Sequence, residues 1–194
     1  MKIEITKVTS WTDVANAARF TQRKKPLPRN QEPSENFKRR MVKAEHSVLR
    51  AFMFYIDMYD IPYYSAMHFR THKLVHLPVV STSRPDIDGN QKPRSEQKKD
   101  EPVNMRLMLD AQEIIAISRQ RLCNRAEFQT RAIWHDVIAE LAKIEPLLAQ
   151  ACVPSCIYRG FCPEINSCGY DLTDKFENTI HTYVDNMFQQ IPTV

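Results

Sequence analysis

Glycine is scarce in this chain, and its scarcity limits the possible folds more than any other feature. The 194 residues contain only three glycines, which are Gly89, Gly160 and Gly169. A phosphate-binding loop of the Walker type and the turn of a dinucleotide-binding fold both need closely spaced glycines. Neither can be built anywhere in this sequence, so a bound phosphate must be held by side chains or by the N-terminus of a helix.

Length and composition indicate one globular domain, or one domain with an appendage. Hydrophobic residues make up 43% of the chain and charged residues 26%, and no apolar run is long enough to span a bilayer. The first eight residues alternate polar with apolar side chains, which predicts a strand, and they lack the apolar block of a secretory signal. We therefore expect a cytoplasmic protein without a membrane partner, whose cysteines are reduced.

The net charge is too small to indicate binding of nucleic acid. Lysine and arginine number 27 against 23 aspartates and glutamates, which leaves a formal charge of +4. Nucleic-acid-binding domains usually carry a stronger basic excess that is gathered on one face. We expect no nucleic-acid partner, whereas a small anionic ligand is compatible with this charge.

Caps, proline positions and apolar spacing predict helices that bracket at least two strands. The predicted strands are 1–8 and 51–58, and the predicted helices are 12–22, one that begins after Ser34, 63–72, 105–122, 128–144 and 176–187. This pattern is typical of an α/β or α+β fold. Residues 83–104 contain almost no apolar side chains and predict a mobile loop, which is either a functional lid or a disordered segment.

The segment HFRTHKLVHLPVVSTSR, residues 68–84, is rich in cations and imidazoles. Helical geometry places His68 and His72 on one face, since they are four residues apart. Such a pair is typical either of a metal site, which needs a third ligand, or of a solvated basic helix end with one histidine satisfied in the core. No glutamate stands between the two, which argues against a zinc hydrolase of the His-Glu-x-x-His kind.

A second charged group ends the most apolar of the predicted helices. Ser118, Arg121 and Arg125 follow one another at helical spacing, and the other sides of the helix are mostly apolar. The arginines predict a pocket or an interface that recognises a carboxylate, a phosphate or a pyrimidine edge through the guanidinium fork. The alternative is a favourable pairing of arginine with the C-terminus of its own helix.

Four cysteines fall within a short segment near the C-terminus. They are Cys152, Cys156, Cys162 and Cys168. Four thiolates can close a tetrahedral zinc site, although the spacing differs from the paired Cys-x-x-Cys pattern of zinc knuckles. The alternative is a set of buried, reduced cysteines that bind no metal.

Taken in order, three blocks of the chain resemble the flavin-dependent thymidylate synthases, of the kind often found in phage genomes. Glu45-His46-Ser47 precedes a predicted strand, as a Glu-His pair does in that family. Thr71-His72-Lys73 stands where the family has its Arg-His-Arg signature, and Ser81 falls at the serine of the family's Ser-x-Arg-Tyr end. The block DAQEIIAISRQRLCNRAEFQTR, residues 110–131, resembles the family's long helix, which ends in an arginine that binds the pyrimidine.

The resemblance implies a fold, a reaction and an assembly. Residues 1–150 would form a nucleotide- and flavin-binding domain of the thymidylate synthase complementing protein type, with a mixed or antiparallel sheet flanked by long helices, and residues 151–194 would pack on it. The implied reaction is reductive methylation of C5 of dUMP. Methylenetetrahydrofolate would donate the carbon, and NADPH would supply the hydride through FAD. The implied assembly is a homotetramer with its sites at subunit interfaces, in the host cytoplasm if a phage encodes the chain.

The resemblance also assigns residues to the site. Ser81 and Arg121 take the catalytic positions. The implied substrate-binding residues are Ser81, Arg84, Arg94, Arg121 and Arg125. The implied flavin-binding residues are His46, Arg70, Thr71, His72, Lys73 and His76. Two alternatives remain open: a flavin-free pyrimidine nucleotide hydroxymethylase, and a catalytically inactive relative that is stabilised by zinc.

Overall fold

A four-stranded antiparallel sheet forms the centre of the protein. The computed structural model describes residues 1–72, 75–82, 96 and 98–188, so Lys73, Arg84 and Arg94 lie outside the described residues. The strands are β1 (Lys2–Lys7), β2 (Met53–Pro62), β3 (Leu77–Val80) and β4 (Pro102–Asp110). Their order across the sheet is β1-β2-β4-β3. The expected α+β class with an antiparallel sheet is confirmed.

Helices supply the second layer of the fold. In the described part of the chain they are α1 (Trp11–Thr21), α2 (Glu35–Lys43), α3 (Tyr63–Arg70), α4 (Ala111–Arg121), α5 (Phe128–Ile144), α6 (Pro146–Ala151), α7 (Ser155–Arg159) and α8 (Asp174–Phe188). Short 3₁₀ helices cover Ser47–Ala51 and Tyr170–Leu172. No helix among the described residues is both long and apolar enough to cross a membrane.

The core lies between the helices and one face of the sheet. Phe54 and Ile56 of β2 are fully buried and pair with the equally buried Leu109 and Leu107 of β4. Every second residue of these strands enters the core, because successive side chains of a strand point to opposite faces. Trp134 of α5 is also fully buried. This packing fixes the positions of α3 and α4, which carry the site described below.

Strand β4 corrects the predicted helix 105–122. The structure divides this stretch into a strand that ends at Asp110 and a helix that begins at Ala111. Asp110 is the N-cap of α4: its carboxylate accepts from the backbone N–H of Glu113 at 2.9 Å, and its own N–H donates to the Glu113 carboxylate at 2.9 Å. This capping box ends the strand and starts the helix.

The remaining differences are smaller. Strand β3 was not predicted; it is an edge strand, where Pro78 is tolerated since an edge has one unpaired side. Of the predicted loop 83–104, residues 83–95 and 97 lie outside the described residues, and β4 begins at Pro102 within its expected C-terminal end. Helix α3 ends at Arg70 rather than His72. The predicted β1, α1, α2, α5 and α8 are present at or within a few residues of the expected bounds.

Candidate functional site

Arg121, the last residue of α4, is held in place by the end of α3. Its Nε donates to His72 Nε2 at 2.8 Å, and its Nη2 donates to the backbone carbonyl of His68 at 2.8 Å. Among the described residues no carboxylate pairs with this half-buried guanidinium, and Nη1 has no hydrogen-bond partner. The arrangement keeps a cation oriented and leaves part of its fork for another group.

His72 is a neutral acceptor in this arrangement. Burial, together with the positive charge of Arg121, lowers its pKa from 6.5 to about 4. Because Arg121 donates to Nε2, the single ring proton of His72 must lie on Nδ1. His72 therefore orients Arg121 without adding a charge of its own at neutral pH.

His68, in α3, and His72, two residues after the end of α3, have different roles. His68 Nδ1 lies 3.1 Å from Thr130 Oγ1 at the start of α5, and Thr130 in turn bonds Ser65 and the Glu127 carboxylate. His68 thus joins α3 to α5, whereas His72 contacts Arg121. Neither belongs to a cluster of metal ligands among the described residues, so the structure favours the core-satisfied alternative for His68.

Ser118 and Arg125 are not placed with Arg121. Ser118 is fully buried, where its hydroxyl donates to the Ile114 carbonyl at 2.7 Å and accepts from the Trp134 indole N–H at 2.9 Å. It therefore belongs to the core rather than to a pocket. Arg125 is exposed in the turn between α4 and α5, so Arg121 is the one arginine of this group that the helix itself fixes in position.

His76 lies at the opposite end of α4. Its Nε2 is 3.4 Å from Asp110 Oδ2 and 3.5 Å from Glu113 Oε2, and the three ligand atoms lie within 4.8 Å of one another. Burial raises the pKa of Glu113. The two carboxylates are explained by their capping of α4, although a divalent cation is chemically compatible with this set. An anionic group fits poorly here, because both carboxylates would repel it.

His72 and His76, four positions apart, therefore contact the two ends of one helix. An eleven-residue helix is about 16 Å long, and α4 contains the eleven residues Ala111–Arg121. The part of the chain that resembles the family signature is thus fastened to α4 at its last residue and at its N-cap.

Ser81, the expected catalytic serine, lies at the other end of β3. Its backbone N–H donates to the Asn104 carbonyl at 2.8 Å, and its hydroxyl accepts from the Asn104 N–H at 3.1 Å. Asn104 is six residues before Asp110, or about 20 Å along β4. No contact among the described residues brings Ser81 to Arg121.

The remaining expected flavin contacts are spread over the surface. His46 is exposed and caps the first 3₁₀ helix, where its Nδ1 accepts from the Val48 N–H at 3.3 Å. Arg70 and Thr71 are exposed at the end of α3. These exposed residues are available to a ligand.

Sequence reasoning missed the partners of Glu45. Its carboxylate pairs with Arg119 of α4, and its backbone carbonyl accepts from Gln112 Nε2 at 2.6 Å. Arg119 also stacks on the ring of Tyr158, 3.7 Å from the centroid. The Glu-His block is therefore fastened to α4, which a motif read along the chain could not reveal. Arg119, a charged and mostly buried residue of an otherwise apolar helix, was the available signal.

The structure separates Cys152 from the other three cysteines that were predicted to bind metal. Cys152 is buried, and its thiol donates to the Leu148 carbonyl at 3.4 Å. Cys156, Cys162 and Cys168 instead line a cavity together with Cys123. One predicted ligand, Cys152, thus lies in the core. The cavity is also lined by Cys123, which was not among the predicted ligands.

Comparison with known proteins supports the fold. No protein-family model matches the chain, and no curated protein matches it in sequence. Among solved structures it is similar to thymidylate synthase X (ThyX) from Helicobacter pylori with FAD and dUMP, with a TM-score of 0.61, 10% identity, and coverage of 79% of this chain and 99% of that one. A second structure, described as flavin-dependent thymidylate synthase ThyX of that organism complexed with FAD and dUMP, has a TM-score of 0.58 and 10% identity. This match covers 79% of this chain and 100% of that one. The chain has the fold of the flavin-dependent thymidylate synthases.

Proposed function

We propose that the protein is a nucleotide-binding enzyme of the flavin-dependent thymidylate synthase type, which methylates C5 of dUMP reductively. The observation that carries the proposal is Arg121: a half-buried guanidinium, oriented by neutral His72 and a backbone carbonyl, without a carboxylate partner among the described residues. Burying a cation without its counter-charge is costly. The arrangement is therefore best explained by a ligand that accepts hydrogen bonds from the remaining N–H groups of the Arg121 guanidinium.

A pyrimidine nucleotide suits this group. The ring carbonyls of uracil accept hydrogen bonds in the plane in which a guanidinium donates them. Arg70 and Arg125 are exposed near the same ends of α3 and α4, and they would lower the cost of bringing a phosphate to this surface. Arg121 would hold the pyrimidine edge and, through that contact, fix the position of C5.

The side chains near Arg121 fit FAD, whereas the side chains near His76 do not. Arg70 and the Nδ1–H of His72 are donors suited to a flavin phosphate or ring carbonyl, whereas Asp110 and Glu113 beside His76 would repel a pyrophosphate. We therefore assign Arg70, Thr71 and His72 to the cofactor and leave His76 out. When bound, FAD would relay the hydride from NADPH, with methylenetetrahydrofolate as the carbon donor.

A site at a subunit interface is part of the proposal. Ser81 contacts Asn104 after β3, Arg121 contacts His72 and His68, and no contact among the described residues joins the two. If both act on one nucleotide, the serine of one chain and the arginine of another supply them, as in a homotetramer. Light scattering of the purified protein tests this: a monomeric mass that persists with dUMP present would contradict the shared site.

The second candidate function is a flavin-free transfer of a one-carbon unit, such as hydroxymethylation of a pyrimidine nucleotide. The carboxylates of Asp110 and Glu113 favour it, because they lie beside His76, an expected flavin contact, and would repel the pyrophosphate of the flavin. Incubation with dUMP or dCMP and the carbon donor distinguishes the two, since methyl and hydroxymethyl products differ in mass.

Binding of dUMP to three proteins tests the primary proposal. Arg121→Ala should weaken dUMP binding by at least tenfold, as expected for loss of a charged hydrogen-bonding fork. Arg39→Ala is the matched control, since Arg39 is exposed on α2 and its loss lowers the net charge equally. Calorimetric affinities that are the same for wild type and Arg121→Ala would reject the assignment.

A visible spectrum tests the cofactor separately. The purified protein is mixed with FAD, desalted and examined for the flavin bands, with Arg70→Ala and His72→Gln beside the wild type. Retained flavin that is lost in these variants supports the flavin-dependent reaction. A colourless wild type that binds dUMP would favour the flavin-free function.

A further inference from the structure

Four of the five cysteines line one cavity beside the turn that follows α4. The cavity has a volume of about 410 Å³ and is bordered by Cys123, Cys156, Cys162 and Cys168. Cys123 lies in the turn between α4 and α5, and Cys156 lies in α7. Cys162 and Cys168 follow α7 in an irregular stretch. None of these thiols forms a disulfide.

The stretch that carries Cys162 and Cys168 has no hydrophobic core of its own. No residue from Tyr158 to Lys175 is buried. Ile165 is completely exposed and Leu172 is 87% exposed. Burial of apolar groups therefore cannot hold this stretch against the rest of the protein, and segments of this kind usually depend on disulfides or on a metal.

The chemistry of the surrounding side chains indicates a metal. Four thiols around one space are a soft ligand set, which selects zinc or an iron–sulfur cluster. Lys175 borders the same cavity and can offset part of the negative charge of four thiolates, while Glu164 and Asp171 add to that charge.

We infer that Cys123, Cys156, Cys162 and Cys168 bind one tetrathiolate metal centre that fastens the stretch after α7 to the turn after α4. No three of these four sulfurs lie within 4.8 Å of one another. A zinc ion, with Zn–S bonds of about 2.3 Å, would draw the stretch toward Cys123, whereas an iron–sulfur cluster would need less movement. Cys152 is not a ligand, since it does not line the cavity and its buried thiol donates to the Leu148 carbonyl of α6.

Metal analysis of the full-length protein tests the site. The protein is produced in medium supplemented with zinc and iron and purified without chelator, and zinc, iron and acid-labile sulfide are measured per chain. About one zinc per chain without iron identifies a single ion, and iron with a matching amount of sulfide identifies a cluster. Either result supports the site, and wild-type protein with neither metal overturns it.

Two cysteine variants separate this assignment from a site that contains Cys152. Cys123→Ser should lose the metal, and Cys152→Ala should retain it. The opposite result overturns the ligand set. Cys168→Ser provides the same test at an exposed position, where the substitution cannot unfold the protein through its core. An intact mass that falls by about four daltons under non-reducing conditions, the loss of one proton from each of four thiols, would reveal two disulfides and also overturn the inference. None of these measurements involves nucleotide or flavin.

Discussion

The contact between His72 and Arg121 predicts how stability depends on pH. The folded protein lowers the pKa of His72 from 6.5 to about 4, chiefly through burial. Between these values the unfolded chain binds the proton and the folded chain does not, so stability must fall as pH falls from 6.5 toward 4 and must level off below. The lowered pKa thus has no effect at neutral pH, where neither state binds the proton, and it destabilises the folded state in acid.

The size of the effect follows from the shift. Each pKa unit corresponds to about 1.4 kcal/mol, so the full shift corresponds to about 3 kcal/mol. His72 is only half-buried, and solvent screening reduces the electrostatic part. We expect about 1 to 2 kcal/mol between pH 4 and pH 7.

The assay compares urea unfolding of wild type and His72→Gln across this pH range. Glutamine keeps an acceptor for Arg121 but does not titrate. The raised pKa of Glu113 acts in the opposite direction, but it is common to both proteins and cancels in the difference. His181→Gln, at an exposed position of α8, controls for loss of an imidazole. Parallel pH profiles for wild type and His72→Gln, or an NMR titration of His72 near 6.5, would refute the reasoning.

Three further substitutions test contacts that organise the fold, each through the free energy of unfolding. Ser118→Ala should cost about 1 to 3 kcal/mol, because the Trp134 indole N–H loses its buried acceptor; additive effects of Ser118→Ala and Trp134→Phe in a double-mutant cycle would contradict this. Asp110→Ala should cost about 1 to 2 kcal/mol through loss of the N-cap of α4, and no loss of helicity or stability would disprove that role. Glu145→Ala should cost about 1 to 3 kcal/mol, since Trp11 Nε1 donates to this buried carboxylate at 3.0 Å; unchanged stability would show that water replaces the acceptor.

Local signals in the sequence predicted an element correctly where its position depended only on nearby residues. The predicted helices 12–22 and 63–72 begin within one residue of α1 and α3, because a cap at Ser10 and a proline at position 62 mark these starts in the sequence. Met105–Asp110 was misassigned because methionine and leucine favour helices and the preceding loop is polar. The alternation of Asn104, Arg106 and Met108 with buried neighbours was visible, but pairing with β2 decides between strand and helix, and a strand's partner is not a local property.

The candidate site was predictable in part for the same reason. Arg121 was found because the end of an apolar helix is a local feature. Its neutral acceptor, His72, was chosen for another role, since an imidazole's protonation depends on burial and on a cation from a distant segment. Cys123 was missed because the cysteines were grouped by proximity along the chain. It lies 33 positions before Cys156 and meets it only through the packing of α4 against α7.

The segment that resembles the family signature contacts both ends of α4, and this determines how a bound ligand affects the dynamics of the helix. His72 contacts the last residue of the helix and His76 contacts its N-cap, and the end turns of a helix open most easily, because their backbone groups lack partners within the helix. A ligand that immobilises the signature therefore removes the freedom of both end turns at once. Amide hydrogen exchange at the two ends of α4 should slow together upon nucleotide binding, while exchange in the middle of the helix stays unchanged.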